Sequence, residues 1–246
     1  RYGIVPYSMT VNVGRLVRAV NPNYIANEWS YQSRIWDNDD DEWDYLRRTI
    51  DVSSFVSGSS VNTRTILGAG NNNWVTWNGC IEERRTVSTI TPSSSTAPGN
   101  IPAGALDLNI DLIPSSQESK WGPHFPQIVF NPGHTNHRPE FCPREARRLA
   151  VMTRSDMEGY VNSLTPVGGT YHDIGMIWGA RFISRGGIFS ADNPETHNDR
   201  PVNRFVIFMT DGDLAPNSDH YVAYGVEYLD RRIMGGTPGT SVSSGN

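Results

Sequence analysis

Arg204-Phe-Val-Ile-Phe-Met-Thr-Asp-Gly-Asp213 is the stretch on which the reading of the fold turns. Phe205 to Met209 is an unbroken apolar run without polar alternation, the pattern of a strand buried on both faces of a parallel sheet. It stops abruptly at Thr210-Asp211-Gly212-Asp213. A carboxylate is thereby expected just past the carboxyl end of a central strand, where open α/β sheets bind their ligands. Upstream, Gly168-Gly169-Thr170 offers a hydroxyl from a second loop. The predicted fold class is α/β, a mostly parallel sheet flanked by helices.

Outward from that stretch, the pattern predicts the neighbouring helices. Ile174, Ile177, Trp178 and Phe182 share one helical face, and Gly175 and Gly179, four apart, would let it approach a sheet closely. Ser155-Asp-Met-Glu158 has the spacing of a capping box ahead of Met157, Tyr160, Val161 and Leu164, and Pro166 closes that helix. Residues 218–233 read as a third helix. Residues 2–13 read as a strand running into an exposed turn, expected beside 204–209 in one sheet. Leu106, Leu108, Ile110 and Leu112 alternate as in a half-buried strand.

The remaining segments carry weaker periodicity. Residues 21–66 are polar and Trp-rich and include the acidic run Asp37-Asn-Asp-Asp-Asp-Glu-Trp-Asp44, read as a solvated acidic face. Residues 88–104 are the most linker-like, and 121–145, rich in Pro and His, read as irregular. The expected organisation is an α/β core from 1–20 and 150–246, interrupted by an insertion at 21–149.

Bulk properties narrow the function classes. A chain of 246 residues has room for one large domain, or one domain with a big insertion. Hydrophobic residues make up 37%, with seven Trp, ten Tyr and eight Phe, enough for a core. Net charge is -5, and no Lys/Arg stripe interleaves with aromatics, which argues against nucleic acid. No Gly-x-Ser-x-Gly elbow and no phosphate loop occurs. No apolar stretch approaches the roughly 20 residues of a membrane helix.

A family resemblance rests on several motifs in order. They are Gly3-Ile-Val-Pro-Tyr-Ser8, Trp77-Asn-Gly-Cys-Ile-Glu-Glu-Arg84, Cys142-Pro143, Gly168-Gly-Thr-Tyr-His-Asp-Ile-Gly-Met-Ile-Trp-Gly179, Phe205-Val-Ile-Phe-Met-Thr-Asp-Gly212 and Tyr224-Gly-Val-Glu227. Together they resemble the C-terminal von Willebrand A-type region of Flp/Tad pilus assembly TadG-like proteins. The resemblance implies a von Willebrand A-like fold and a non-catalytic, protein-binding role in assembly of a tight-adherence pilus. It implies protein partners in the pilus or envelope machinery. It also implies a periplasmic or cell-surface location, with an inner-membrane anchor upstream of Arg1. The chain opens within a strand-like segment, so a piece of a longer protein, lacking its closing strands, is expected.

In that family Thr170 and Asp211 would be metal ligands of a metal-ion-dependent adhesion site. Mg²⁺ or Mn²⁺ prefers hard oxygen ligands, here a hydroxyl from Thr170 and a carboxylate from Asp211. The site's Asp-x-Ser-x-Ser loop is not in this sequence. The ion is therefore expected in the full-length protein and only weakly here. The bland alternative is that Thr170 caps a helix and Asp211 a turn.

Location outside the cytoplasm makes a Cys80–Cys142 disulfide the expected state of the two cysteines. A competing reading gathers His124, His134, His137 and Cys142 as the zinc ligands of a hydrolase, although their spacing matches no standard motif. A third reading is a structural adhesin-like module without an ion site. Trp29, Trp36, Trp43, Trp74 and Trp77 would then supply contact area or fill the insertion's core.

Overall fold

A computed structural model of the chain describes residues 1–37, 39–67, 73–87, 101–126, 141–210, 212–215, 220–226 and 241–243. In chain order it forms β1 (Tyr2–Ile4), α1 (Gly14–Val20), β2 (Glu28–Asp37), β3 (Glu42–Asp51), α2 (Ser53–Val56), β4 (Val61–Asn62), α3 (Thr63–Leu67) and β5 (Trp74–Val75). There follow β6 (Ile81–Glu82), β7 (Gly122–Pro123), β8 (Arg147–Ala150), α4 (Arg154–Val161) and α5 (His172–Ile183). The last elements are β9 (Thr196–His197), β10 (Arg200–Pro201), β11 (Tyr221–Val222), β12 (Gly225–Val226) and β13 (Ser241–Ser243).

The sheets overturn the parallel architecture. Every paired strand among the described residues is antiparallel: β1 with β8, β2 with β3 and β13, β4 with β5, β6 with β7, β9 with β10, and β11 with β12. Among the described residues there is no von Willebrand A-like or Rossmann-type sheet. The longest ladder is the β2–β3 hairpin, registered from Glu28↔Asp51 to Asp37↔Glu42. Its turn carries part of the acidic run, and residues 39–41 are exposed, as a solvated face requires.

The apolar run that motivated a central strand forms none. Residues 204–210 pair with no neighbour, and Phe205, Ile207 and Met209 are 83%, 84% and 78% exposed. β1 joins β8 instead of this run. The run is held by Tyr7, whose ring stacks on Phe208 at 5.5 Å and whose hydroxyl donates to the Met209 carbonyl at 3.2 Å. Apolarity favours burial, but a strand also needs a second backbone to complete its hydrogen bonds.

Other local expectations shift as well. The segment after β1 is no exposed turn: Met9, Val11 and Val13 are buried in the core. Residues 106–113 run through successive turns, not a strand. Within the expected third helix, residues 221–226 form the β11–β12 hairpin, and the rest apart from His220 lies outside the described residues. Gly225 there has φ +96° and lies where a Cβ would meet the Gln32 amide at 2.3 Å, so this turn closes only around glycine. The capping box sits two residues earlier than predicted. Thr153 Oγ1 accepts from the Asp156 amide at 3.1 Å, and Asp156 accepts from the Thr153 amide at 3.1 Å.

Helix α5 matches its sequence pattern. Ile174, Ile177, Trp178 and Phe182 are all buried. A Cβ on Gly175 would lie 2.5 Å from the Tyr7 ring, so this glycine admits an aromatic side chain to the helix surface. The continuous core adds Val17, Ile25, Phe55, Phe125, Trp121 and Phe189. Phe55 stacks on Phe125 at 4.7 Å, and Phe182 meets Phe189 edge-on at 4.9 Å.

Cys80 and Cys142 are disulfide-bonded across 62 residues. The bond is backed by Asn12, whose side-chain amide donates to the Pro143 carbonyl at 2.9 Å and whose own carbonyl accepts from Ala146 N at 2.9 Å. On the chain-entropy model a loop of this length gives about 4 kcal/mol. Paired Cys80→Ser and Cys142→Ser substitutions should lower the unfolding free energy by about that amount. Urea denaturation followed by tryptophan fluorescence measures it.

Candidate functional site

Two adjacent carboxylates in Cys80-Ile-Glu-Glu-Arg84 organise the interior around β6. Successive side chains of an extended segment point to opposite sides, so Glu82 and Glu83 enter different surroundings, and both are buried. Glu83 reaches the helix α5 side. Arg181 binds it in a two-pronged pair, Nη1 to Oε2 at 2.6 Å and Nη2 to Oε1 at 3.1 Å. The indole N–H groups of Trp121 and Trp178 donate to the same carboxylate at 2.7 and 3.1 Å, and the Arg84 amide at 2.9 Å.

The two guanidinium groups are themselves packed on aromatic faces. Arg84 lies 3.9 Å from the Trp121 ring centre, and Arg181 lies 4.7 Å from that of Trp178. Arg181 also donates to the Asp107 carbonyl at 2.6 Å, and Arg84 to the Leu112 carbonyl at 2.9 Å. Burial by itself raises the Glu83 carboxyl pKa, but the Arg181 and Arg84 charges outweigh it and hold the group below the usual range. Burial, then repulsion from Arg181, lowers Arg84.

Glu82 faces the other way, toward β2 and β11. It accepts a hydrogen bond from the Tyr221 hydroxyl and one from Trp29 Nε1 at 2.8 Å. Burial pushes its carboxyl up to about 8, outweighing the Tyr221 and Trp29 hydrogen bonds and the Arg47 charge, which favour the ionised form. Burial, then the nearby Glu82, raises Tyr31 and Tyr221. Above Glu82 opens a cleft of about 590 Å³, with Trp29, Gln32, Arg47, Gln117 and Tyr224 among its lining residues.

Of the sequence-predicted ion ligands, Thr170 lies elsewhere. Thr170 is half-buried, and its carbonyl accepts from Ala215 N at 3.2 Å. His172 Nε2 is 3.2 Å from Thr210 Oγ1, so the start of helix α5, just after Gly168-Gly169-Thr170, neighbours Thr210. Asp211 itself lies outside the described residues. Among the described residues, no group of three or more His, Cys, Asp and Glu could hold a metal ion.

Of the zinc set, Cys142 and His124 are described. Cys142 is in the disulfide and supplies no thiolate. His134 and His137 lie outside the described residues. His124 is buried, with Nε2 3.3 Å from the Tyr221 carbonyl, and burial lowers its pKa to about 4. Of the tryptophans, Trp77 is buried and donates to the Cys80 carbonyl at 2.7 Å, Trp74 is 69% exposed, and Trp29 is half-buried. The side chains of Trp36 and Trp43 fall outside those described.

Glu82 and Glu83 entered the sequence analysis only as part of the Trp77–Arg84 motif, because adjacent glutamates carry no periodic pattern that marks burial. The available signal was their position directly after the apolar Ile81 and ahead of Arg84. No family model, no curated protein and no solved structure matches the chain.

Two consequences can be measured. Arg181→Ala leaves Glu83 buried without its main cation and should cost about 3–5 kcal/mol of stability in urea. Glu82 also sets a pH dependence. Its folded pKa is about 8 against 4.5 for the free side chain, so the folded state holds the proton more tightly. This contribution is full below pH 4.5 and lost as pH rises through 8. Glu82→Gln should remove a fall of up to about 1.4 kcal/mol per pH unit across that window. His124 works oppositely, losing stability as pH falls through about 4, so the comparison is wild type against Glu82→Gln at each pH.

Proposed function

We propose that this chain is a non-catalytic, envelope-exposed protein-binding domain of a TadG-like pilus assembly component. The observation that carries the reading is the ordered motif set, above all Gly168-Gly-Thr170 with Thr210-Asp-Gly212. That the two loops are neighbours, through Thr170 to Ala215 and His172 to Thr210, supports a shared role. The Cys80–Cys142 bond supports an oxidising compartment, periplasmic or cell-surface, since cytosolic thiols stay reduced. In the full-length protein, Thr170 and Asp211 are proposed to contribute to a Mg²⁺ or Mn²⁺ site whose open positions take a partner's carboxylate.

Partner binding through such an ion needs no general acid or base. The test is complementation of a deletion in the source bacterium. The wild-type gene should restore surface pili and adhesion, and Asp211→Ala should restore little of either. Alkylation of the intact protein should find no free thiol. Pili assembled normally without this gene, or a chain recovered from the cytosol with both thiols free, would overturn the reading. Full rescue by Asp211→Ala would remove the ion and leave surface contacts as the binding mode.

A further inference from the structure

We infer that the cleft beside Trp29 is a saccharide-binding site, taking a neutral oligosaccharide with a sugar ring stacked on the indole. The cleft lies between the β2–β3 hairpin and the Gln117–Glu118 turn, above β6. Its volume of about 590 Å³ falls within the range of roughly 300–1,000 Å³ usual for small-molecule sites. This inference does not depend on the pilus-assembly reading.

The indole is built in place. A Cβ on Gly122 would lie 2.3 Å from the Trp29 ring, so the ring rests on glycine backbone. Its N–H is committed to Glu82 at 2.8 Å. An aromatic wall held at both points loses little freedom when a ligand covers it, which favours binding. Gln32, at the other side, is fixed by donating to the Tyr224 carbonyl at 3.0 Å and accepting from Val226 N at 2.7 Å.

The polar lining selects the class of ligand. Glu28 and Glu118 are exposed acids, and Arg47 and Arg85 are exposed bases, so the two signs balance. That balance gives no net attraction to a phosphate or nucleic acid, which need excess positive charge. Guanidinium groups in the lining disfavour a metal ion. The apolar lining, Trp29 with Ala223 and Tyr224, is too limited to anchor a hydrophobic peptide or lipid. A sugar ring fits both parts. Its C–H face lies on the indole, and its hydroxyls both donate to carboxylates and accept from Arg and Gln. Glu82, kept protonated at neutral pH by burial, leaves the floor beneath the indole uncharged.

The test is isothermal titration of the full chain with two soluble probes, an N-acetylglucosamine trimer and a glucose trimer. At least one should bind, and Arg47→Ala should weaken that binding about tenfold or more. Arg47 is exposed, so its removal leaves the core intact. Trp29→Ala should abolish binding and Trp29→Phe should retain part of it, with circular dichroism reporting the fold of each variant. Failure of both trimers to bind at millimolar concentration overturns the inference. So does binding that Arg47→Ala and a folded Trp29→Ala leave unchanged.

Discussion

The buried carboxylate of Glu83 is the constraint around which the described core is arranged. It takes donors from Arg181, Trp121, Trp178 and the Arg84 amide. Those groups come from helix α5, the segment leading into β7 and the strand end at β6. A buried anion with one partner removed is expensive, so these segments can separate only together. The same guanidinium groups reach the carbonyls of Asp107 and Leu112. A stretch of turns with little regular backbone pairing is thereby attached to the core through charged donors. A buried ion pair often adds no stability over an apolar core of the same volume, whereas removing one of its partners is costly.

Adjacent residues on one extended segment are driven to opposite chemistry. Two cations outweigh the burial of Glu83 and hold its pKa down, whereas at Glu82 burial prevails over the hydrogen bonds from Tyr221 and Trp29 and the Arg47 charge. The neutral member then positions an indole at the surface instead of attracting a counter-ion. The organisation joins a rigid interior to an open cleft through one peptide unit. The loops carrying Thr170 and Thr210 sit apart from this unit, so the proposed ion-dependent contacts and the saccharide site draw on different residues.

The helix α5 face was legible because it is local. Ile174, Ile177, Trp178 and Phe182 recur at the helical period, and any core that takes one takes all of them. The first-turn cap was legible as a type but not as a position. Thr153 with Asp156 and Ser155 with Glu158 both offer a hydroxyl and a carboxylate three apart, and the chain uses the earlier pair. The run Phe205–Met209 misled because its composition speaks for a buried strand while its pairing depends on distant backbone. In the folded chain it lies along Tyr7, largely open to solvent.

By itself, then, the amino-acid order determined the amphipathic helix, the solvated acidic residues and the motifs on which the pilus-assembly resemblance rests. Each is set by neighbours within a few residues. Tertiary structure alone decided which strands pair, that those among the described residues pair antiparallel, and which glutamate keeps its charge. Two identical side chains side by side carry no local mark of their fate. Their difference arises when Arg181, 98 residues from Glu83, arrives on one side, and Trp29 and Tyr221 arrive on the other. Burial raises the pKa of a carboxyl, and at Glu83 the charges of Arg181 and Arg84, with their hydrogen bonds, reverse that effect.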